Sequence, residues 1–472
     1  MGGLKKRMRW AGRAAALGAI ALGGLLVCAS SPAAAEGRRI YLPVAMRRFT
    51  PTRGPANPLG MQISELRFRD LAMVSDVRRA GASWWRTFLF WDEVEPVHTT
   101  PPSYDWRLYD TLFRHAAQSG LSVIAEIQGN PTWAAEYPGG PPHEVDALAQ
   151  FVAAAVERYD GDGVLDAPGS PRVNYWELYN EPDNTDAVLA RQGRGWGYWG
   201  NSGAEYARML KRVYPAVKVA SRDARVVFGG LAYDAFTPEG PFSRDFLSTV
   251  LNAGAGPYFD VVSFHYYVLF APRWAEFGPG ILGKTEALRQ ALAAAGVPPK
   301  PMLASEAGTW SAGQPPYPPT TPEEQARYVP QLYAQSVAAG LFAAVWFTYD
   351  DVSGFDDPAR GLVDSNLEAK PALSAYRVAA DQFTGLVANN PARDTSAAGE
   401  VYWFHRGSEQ VAVAWTTDGQ QATLRVRAAA VERVHMYGTK ILMRDESDGV
   451  VDGFVSVPYG TEPVYVRVVT SP

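Results

Sequence analysis

Cysteine is all but absent: Cys28 is the only one in 472 residues. It lies in a basic and then apolar N-terminal segment, so a mature chain lacking that segment has no disulfide and no thiol chemistry. Histidine is scarce as well. The six histidines are scattered along the chain, which leaves no cluster of His and acidic ligands of the kind a barrel metalloenzyme needs. Basic charge is not in excess either, with 44 Lys and Arg against 49 Asp and Glu, and without a basic stripe the chain is a poor nucleic-acid binder. The apolar run Ala14 to Val27 is short of the roughly 20 residues that cross a bilayer. No internal repeat with a period of about 20 to 50 residues and no low-complexity tract is present.

What is there begins at the N-terminus. Lys5, Lys6, Arg7, Arg9 and Arg13 precede the apolar run, and Ala33-x-Ala35 before Glu36 offers a small-residue cleavage site. Residues 1–35 therefore read as a signal peptide, and the expected location is extracellular, with no membrane span after cleavage. Its removal takes five basic and no acidic residues, so the formal charge moves from −5 to −10. Residues 36–59 mix Arg, Pro and a short apolar patch and read as a linker or N-terminal extension.

From Gly60 onward, short β-like runs alternate with stretches of helical spacing. The strand candidates are "GMQIS", "SWWRTFLF", "LSVIAEI", "VNYWELYNE", "RVVFGGLA", "DVVSFHYY", "PMLASEA" and "AAVWFTY", each followed by a helical pattern. Eight such pairs predict an α/β fold, a (β/α)8 TIM barrel over residues 60–384. Beyond Gly385 the chain changes to short alternating runs cut by Gly and Asp. That predicts a small antiparallel β-sandwich domain over 385–472, packed on the barrel.

In a parallel barrel the chemistry sits at the carboxyl ends of the strands. Polar residues collect there: Arg86 on strand 2, Asn180 and Glu181 closing strand 4, His265 and Tyr267 on strand 6, and Glu306 on strand 7. Carboxylates on strands 4 and 7 face each other across the barrel mouth, as a retaining glycosidase requires. Glu306 would be kept ionised by Arg86 and a hydrogen bond from Tyr267. Glu181 would be poised as the acid by the neighbouring negative charge. Glu177, on the same face by alternation, lies deeper and is expected as a buried, ion-paired residue without a chemical part. Trp346 on strand 8 is expected to floor the sugar subsite, and Trp133, Trp196, Trp199, Trp274 and Trp310 in the post-strand loops could stack further sugars.

"WELYNEPD" closely resembles the strand-4 acid/base motif of clan A glycoside hydrolases, and "ASEAG" resembles their strand-7 nucleophile motif. "WDEVEP" and the β domain after the barrel look most like family 39, then family 5. The departure is that Ala307 and Gly308, not an aromatic, follow Glu306. The resemblance implies Glu181 as general acid/base, Glu306 as nucleophile and Asn180 as the grip on the sugar 2-hydroxyl, with Arg86, His265, Tyr267, Trp346 and Trp133 binding substrate. It implies an oligosaccharide or polysaccharide partner, a β-linked plant-type glycan such as xylan, glucan or mannan, and no cofactor or metal. 

Other readings fit less well. A Schiff-base aldolase needs Lys at a strand's carboxyl end, whereas Lys300 precedes strand 7. Residues 159–166, "YDGDGVLD", hint at a calcium loop but lack the closing Glu of an EF-hand and precede strand 4, on the face away from chemistry. A catalytically silent glycan-binding or cell-surface scaffolding barrel remains the alternative of a different class, and the retention of both carboxylates weighs against it.

Overall fold

The computed structural model describes residues 56–185, 199, 202–232, 241–313, 318–351 and 359–469. The expected signal segment, nearly all of the expected linker and Trp196 lie outside the described residues. Eight strands appear in the expected places: β1 (Leu59–Gln62), β2 (Trp84–Phe90), β3 (Ser122–Gln128), β4 (Tyr175–Asn180), β5 (Arg225–Gly230), β6 (Val262–Tyr267), β7 (Met302–Gly308) and β8 (Ala344–Phe347). A helix follows each: α1 (Leu71–Arg79), α2 (Arg107–Gln118), α3 (Val145–Arg158), α4 (Gly203–Ala220), α5 (Phe246–Asn252), α6 (Gly280–Ala294), α7 (Pro322–Ala338) and α8 (Pro371–Phe383).

The eight strands form one sheet in the order β5-β4-β3-β2-β1-β8-β7-β6. Its ends meet through parallel bridges from Val227 to Val261 and from Leu231 to Phe264, which nearly closes the barrel. Burial on both faces explains the composition: every residue of β2, Trp-Trp-Arg-Thr-Phe-Leu-Phe, is buried. Helix starts are set locally, as where Thr321 and Glu324 form a reciprocal capping box at α7.

The barrel floor is apolar, built by Trp84, Ile124, Tyr175, Val227, Val261, Leu303 and Val345. Side chains alternate along a strand, so two residues further on Arg86, Glu126, Glu177, Ser263 and Phe347 also face inward. A charged layer thus lies directly on an apolar one.

The C-terminal part is two antiparallel sheets. The first has six strands in the order β14-β13-β16-β11-β10-β9, namely Lys440–Arg444, Ala430–His435, Val464–Val468, Glu409–Trp415, Glu400–Arg406 and Val387–Arg393. The second pairs β12 (Ala422–Arg427) with β15 (Phe454–Tyr459). Val401, Ala412, Leu424, Val426, Val455 and Val466 fill the space between the two sheets. The other face of the large sheet joins the barrel core, where Phe383 of α8 meets Phe404 and Tyr465 edge-on at ring separations of 6.1 and 5.7 Å. Barrel and sheets belong to one compact unit.

Phe383 is fully buried at this junction, so Phe383→Ala should cost about 3–5 kcal/mol. Denaturant unfolding of the variant should stay a single transition at a lower midpoint. A separate transition for the C-terminal sheets in the parent protein would contradict the shared core.

Candidate active site

Arg86 organises the interior. Its Nε donates to Glu177 Oε2 at 2.6 Å, Nη1 to Glu306 Oε1 at 2.8 Å and to Gln62 Oε1 at 2.7 Å, and Nη2 to Asn180 Oδ1 at 2.9 Å. Nη2 also lies 2.8 Å from Glu126 Oε2, a charge contact off the N–H direction. Burial opposes the guanidinium charge, but Glu126, Glu177 and Glu306 outweigh it and raise the Arg86 pKa further above its ordinary value. One cation cannot neutralise three carboxylates. Glu126 takes up part of the imbalance: burial, and then the charges of Glu177 and Glu306 working against Arg86, push its pKa up to about 8.

Two backbone irregularities bring the mouth residues inward. In an even strand, Asn180 would point away from the side that Glu177 takes. Tyr179 instead adopts φ +64° and Glu181 φ +44°, conformations costing roughly 1–3 kcal/mol each in a non-glycine residue. As a result Glu177 and Asn180 both reach Arg86, and Glu181 reaches His265. Tyr179 is anchored by its hydroxyl, which donates to Asn130 Oδ1 at 2.7 Å. On β7, Phe264 pairs with Ala304 while His265 pairs with Glu306, so Ser305 is one residue extra. This bulge puts both Leu303 and Glu306 on the inner face.

The two mouth carboxylates are bridged by one imidazole. His265 Nδ1 is 2.8 Å from Glu181 Oε1 and 3.5 Å from Glu306 Oε2, and one oxygen of each carboxylate lies within 4.8 Å of the other. Tyr267 donates its hydroxyl to Glu306 Oε2 at 2.8 Å. Burial, then the Glu306 charge, raises the Tyr267 pKa well above its ordinary value, so the phenol stays a donor. Burial, together with the positive charges of Arg86 and Lys284, lowers the His265 pKa to about 4 against the pull of Glu306 and Glu177. Neutral His265 has one ring proton. Nε2 is buried without a partner and packs where a side chain on Gly230 would stand, 2.1 Å from a Cβ there. The proton therefore belongs on Nδ1, donated to Glu181.

Arg86, Asn180, Glu181, His265, Tyr267 and Glu306 thus form one cluster. Glu177 is buried and ion-paired as expected, and a single guanidinium, that of Arg86, links it to Glu306. Trp346 is a correction. With Val345 on the barrel floor, alternation sends Trp346 outward, where it is fully buried, donates Nε1 to Arg360 O at 3.1 Å and sits 6.3 Å from the Tyr328 ring of α7. The neighbouring half-buried Phe347 takes the inward place, edge-on to Tyr267 at 6.4 Å. Trp133 is half-buried, with its ring against Trp91 and His98 and its Nε1 on Glu95 O, and no contact joins it to the carboxylate cluster among the described residues. Trp199, Trp274 and Trp310 are buried packing residues. Gln62 and Glu126 were not foreseen. Glu126 left one signal, a lone acid inside the otherwise apolar "LSVIAEI".

The acidic turn before β4 does bring oxygens of Asp160, Asp162 and Asp166 together. Those carboxylates accept from the backbone N–H groups of Asp162, Val164 and Gly163 respectively, while Asp166 Oδ1 is buried without a hydrogen-bond partner.

No protein-family model and no curated protein matches the chain. Solved structures do. A family 39 glycoside hydrolase from the gut symbiont Bacteroides cellulosilyticus WH2 aligns with TM-score 0.64 at 22% identity, covering 88% of this chain and 81% of that one. A glucosidase from Croceicoccus marinus aligns with TM-score 0.57 at 15% identity over 89% of this chain and 98% of that one. A monomeric β-xylosidase from Caulobacter crescentus CB15 aligns with TM-score 0.56 at 15% identity over 88% and 97%. The chain shares the TIM-barrel fold of these glycoside hydrolases.

The charge excess predicts a pH dependence of stability. The folded state holds the Glu126 proton up to about pH 8, whereas an unfolded chain releases it near 4.3, so stability declines as pH rises between those values. Glu126→Gln removes that decline. Its melting temperature should match the parent's at pH 4 and exceed it at pH 9, and an equal difference at both pH values would place the charge imbalance elsewhere.

Proposed function

We propose that the protein is a secreted retaining O-glycoside hydrolase acting on a β-linked plant-type glycan such as xylan, glucan or mannan. The observation that carries this reading is the approach within 4.8 Å of the Glu181 and Glu306 oxygens at the ends of β4 and β7. Carboxyl groups about 5–5.5 Å apart leave no room for a water between one of them and the sugar, so a carboxylate must attack the anomeric carbon itself.

Glu306 is the nucleophile in this account, since Arg86 and Tyr267 both donate to its carboxylate. Glu181 is the acid/base. The Nδ1–H of His265 occupies Glu181 Oε1, which leaves the carboxylic proton on Oε2 to be given to the leaving glycosidic oxygen. Cleavage of that bond and attack by Glu306 yield the glycosyl-enzyme. In the second step Glu181 takes a proton from water as the water oxygen attacks the anomeric carbon, and Glu306 departs as carboxylate. Asn180 commits Oδ1 to Arg86, so its amide meets the sugar 2-hydroxyl as an Nδ2 donor. Phe347 supplies the apolar face beside Tyr267, the part first given to Trp346. The basic and apolar N-terminus with its Ala-x-Ala site supports export, and the xylosidase and glucosidase named above share the fold without fixing the sugar.

The mature chain should hydrolyse aryl β-glycosides and release a first-formed anomer, observed by NMR, with retained configuration. Glu306→Gly should be inactive in water and regain turnover in azide, giving the inverted glycosyl azide. An inverted hydrolysis product from the parent would overturn the assignment, and a parent inactive on glycosides and polysaccharides alike would favour a silent glycan-binding barrel.

A further inference from the structure

Lys284 of α6 is fully buried, yet its ammonium faces the barrel and not solvent. Nζ donates to the main-chain oxygen of His265 at 2.7 Å and lies 3.5 Å from that of Leu231. The rings of Trp274 and Phe264 flank it at 5.4 and 5.8 Å. A buried ammonium has a desolvation cost of several kcal/mol, and an apolar chain of the same length would fill the space between those rings at less cost. The location gives the charge a use. Leu231 and His265 stand on the two sides of the seam between β5 and β6, where isolated bridges replace a continuous ladder, and His265 N donates to Leu231 O at 2.9 Å.

We propose that Lys284 is a positioning residue for the acid/base: it holds the His265 main chain across the β5–β6 seam so that Nδ1–H points at Glu181. The inference rests on the glycosidase reading for its catalytic meaning. Charged and titratable groups face His265 from every side: Glu181 and Glu177 from β4, Glu306 from β7, Tyr267 from its own strand, Arg86 from β2 and Lys284 from α6. The carboxylates favour an imidazolium, whereas Arg86, Lys284 and burial disfavour it. An imidazolium would hold Glu181 as carboxylate and abolish its acid role. Gly230 closes the other side, since a Cβ there would strike the ring.

Lys284→Met removes charge and donor together, Lys284→Gln keeps a donor, and Lys284→Arg keeps both. Two readouts separate a positioning part from packing: the titration of the His265 ring, followed by NMR with 13C-labelled histidine and assigned with His265→Asn, and the pH profile of kcat and KM on an aryl glycoside. The parent ring should stay neutral down to about pH 4. In Lys284→Met and Lys284→Gln the imidazolium should persist to higher pH, by about one unit, and kcat at pH 4 should fall about fivefold below the parent's at that pH, with KM within about twofold. Lys284→Arg should restore both. A Met or Gln variant with a lower melting temperature but an unmoved ring titration and pH profile would reduce Lys284 to packing. If Met prevents folding, Gln against Arg carries the comparison. The ring titration is read without substrate, so a shifted titration in a chain that hydrolyses no glycoside upholds the Lys284 contact and refutes the glycosidase reading. An active enzyme with an unshifted ring refutes only the inference.

Discussion

The fold converges on a single buried guanidinium. Arg86 takes partners from β1, β3, β4 and β7, so strands far apart in the chain are tied at one level of the barrel. The arrangement is costly, because three carboxylates and one cation have left water together. Bidentate and multidentate hydrogen bonding, for which the planar fork of arginine is suited, offsets part of that cost. The proton on Glu126 removes part of the remaining charge imbalance. What the network gives in return is a fixed orientation for Glu306 and Asn180 and a local field that does not have to reorganise during a reaction. A lysine at the same position would supply a point charge and lose the geometry.

Above that layer, His265 divides its environment between two carboxylates. Its neutrality is a product of position: burial with the ring packed against Gly230 comes first, and the cations Arg86 and Lys284 add to it. The same burial that makes the imidazole expensive to charge makes it a dependable donor. Rigid strands set the site's chemistry, and the loops that would select a particular sugar lie beyond them. Similarity to a family 39 glycoside hydrolase at 22% identity and to a glucosidase and a β-xylosidase at 15% therefore concerns the scaffold and not the substrate.

Much of this was legible in the sequence, because a barrel repeats a simple rule. Strands buried on both faces read as apolar runs, and polar residues at their carboxyl ends stand out, as Arg86, Asn180, Glu181, His265, Tyr267 and Glu306 did. The strand-8 position of Trp346 suggests that it faces the mouth between the two catalytic strands, yet alternation from Val345 on the barrel floor gives that place to Phe347. The left-handed turn at Tyr179 and the extra residue Ser305 are backbone features without a side-chain signature, so the reach of Asn180 to the side that Glu177 takes could not be derived from spacing. Glu126 was hidden for another reason. Its partner is 40 residues away on the neighbouring strand, and pairing across a barrel is visible only once register is known.

The central claim is that Glu306 is the nucleophile, held ionised on Arg86 and Tyr267. The most direct test is to trap the glycosyl-enzyme with dinitrophenyl 2-deoxy-2-fluoro-β-xyloside and -β-glucoside and locate the label by peptide mass spectrometry. The account predicts one sugar per chain, bonded to the peptide carrying Glu306 and absent in Glu306→Gln. A label on the peptide carrying Glu177 or Glu126, or an enzyme that turns over aryl glycosides while forming no adduct with either reagent, would contradict it.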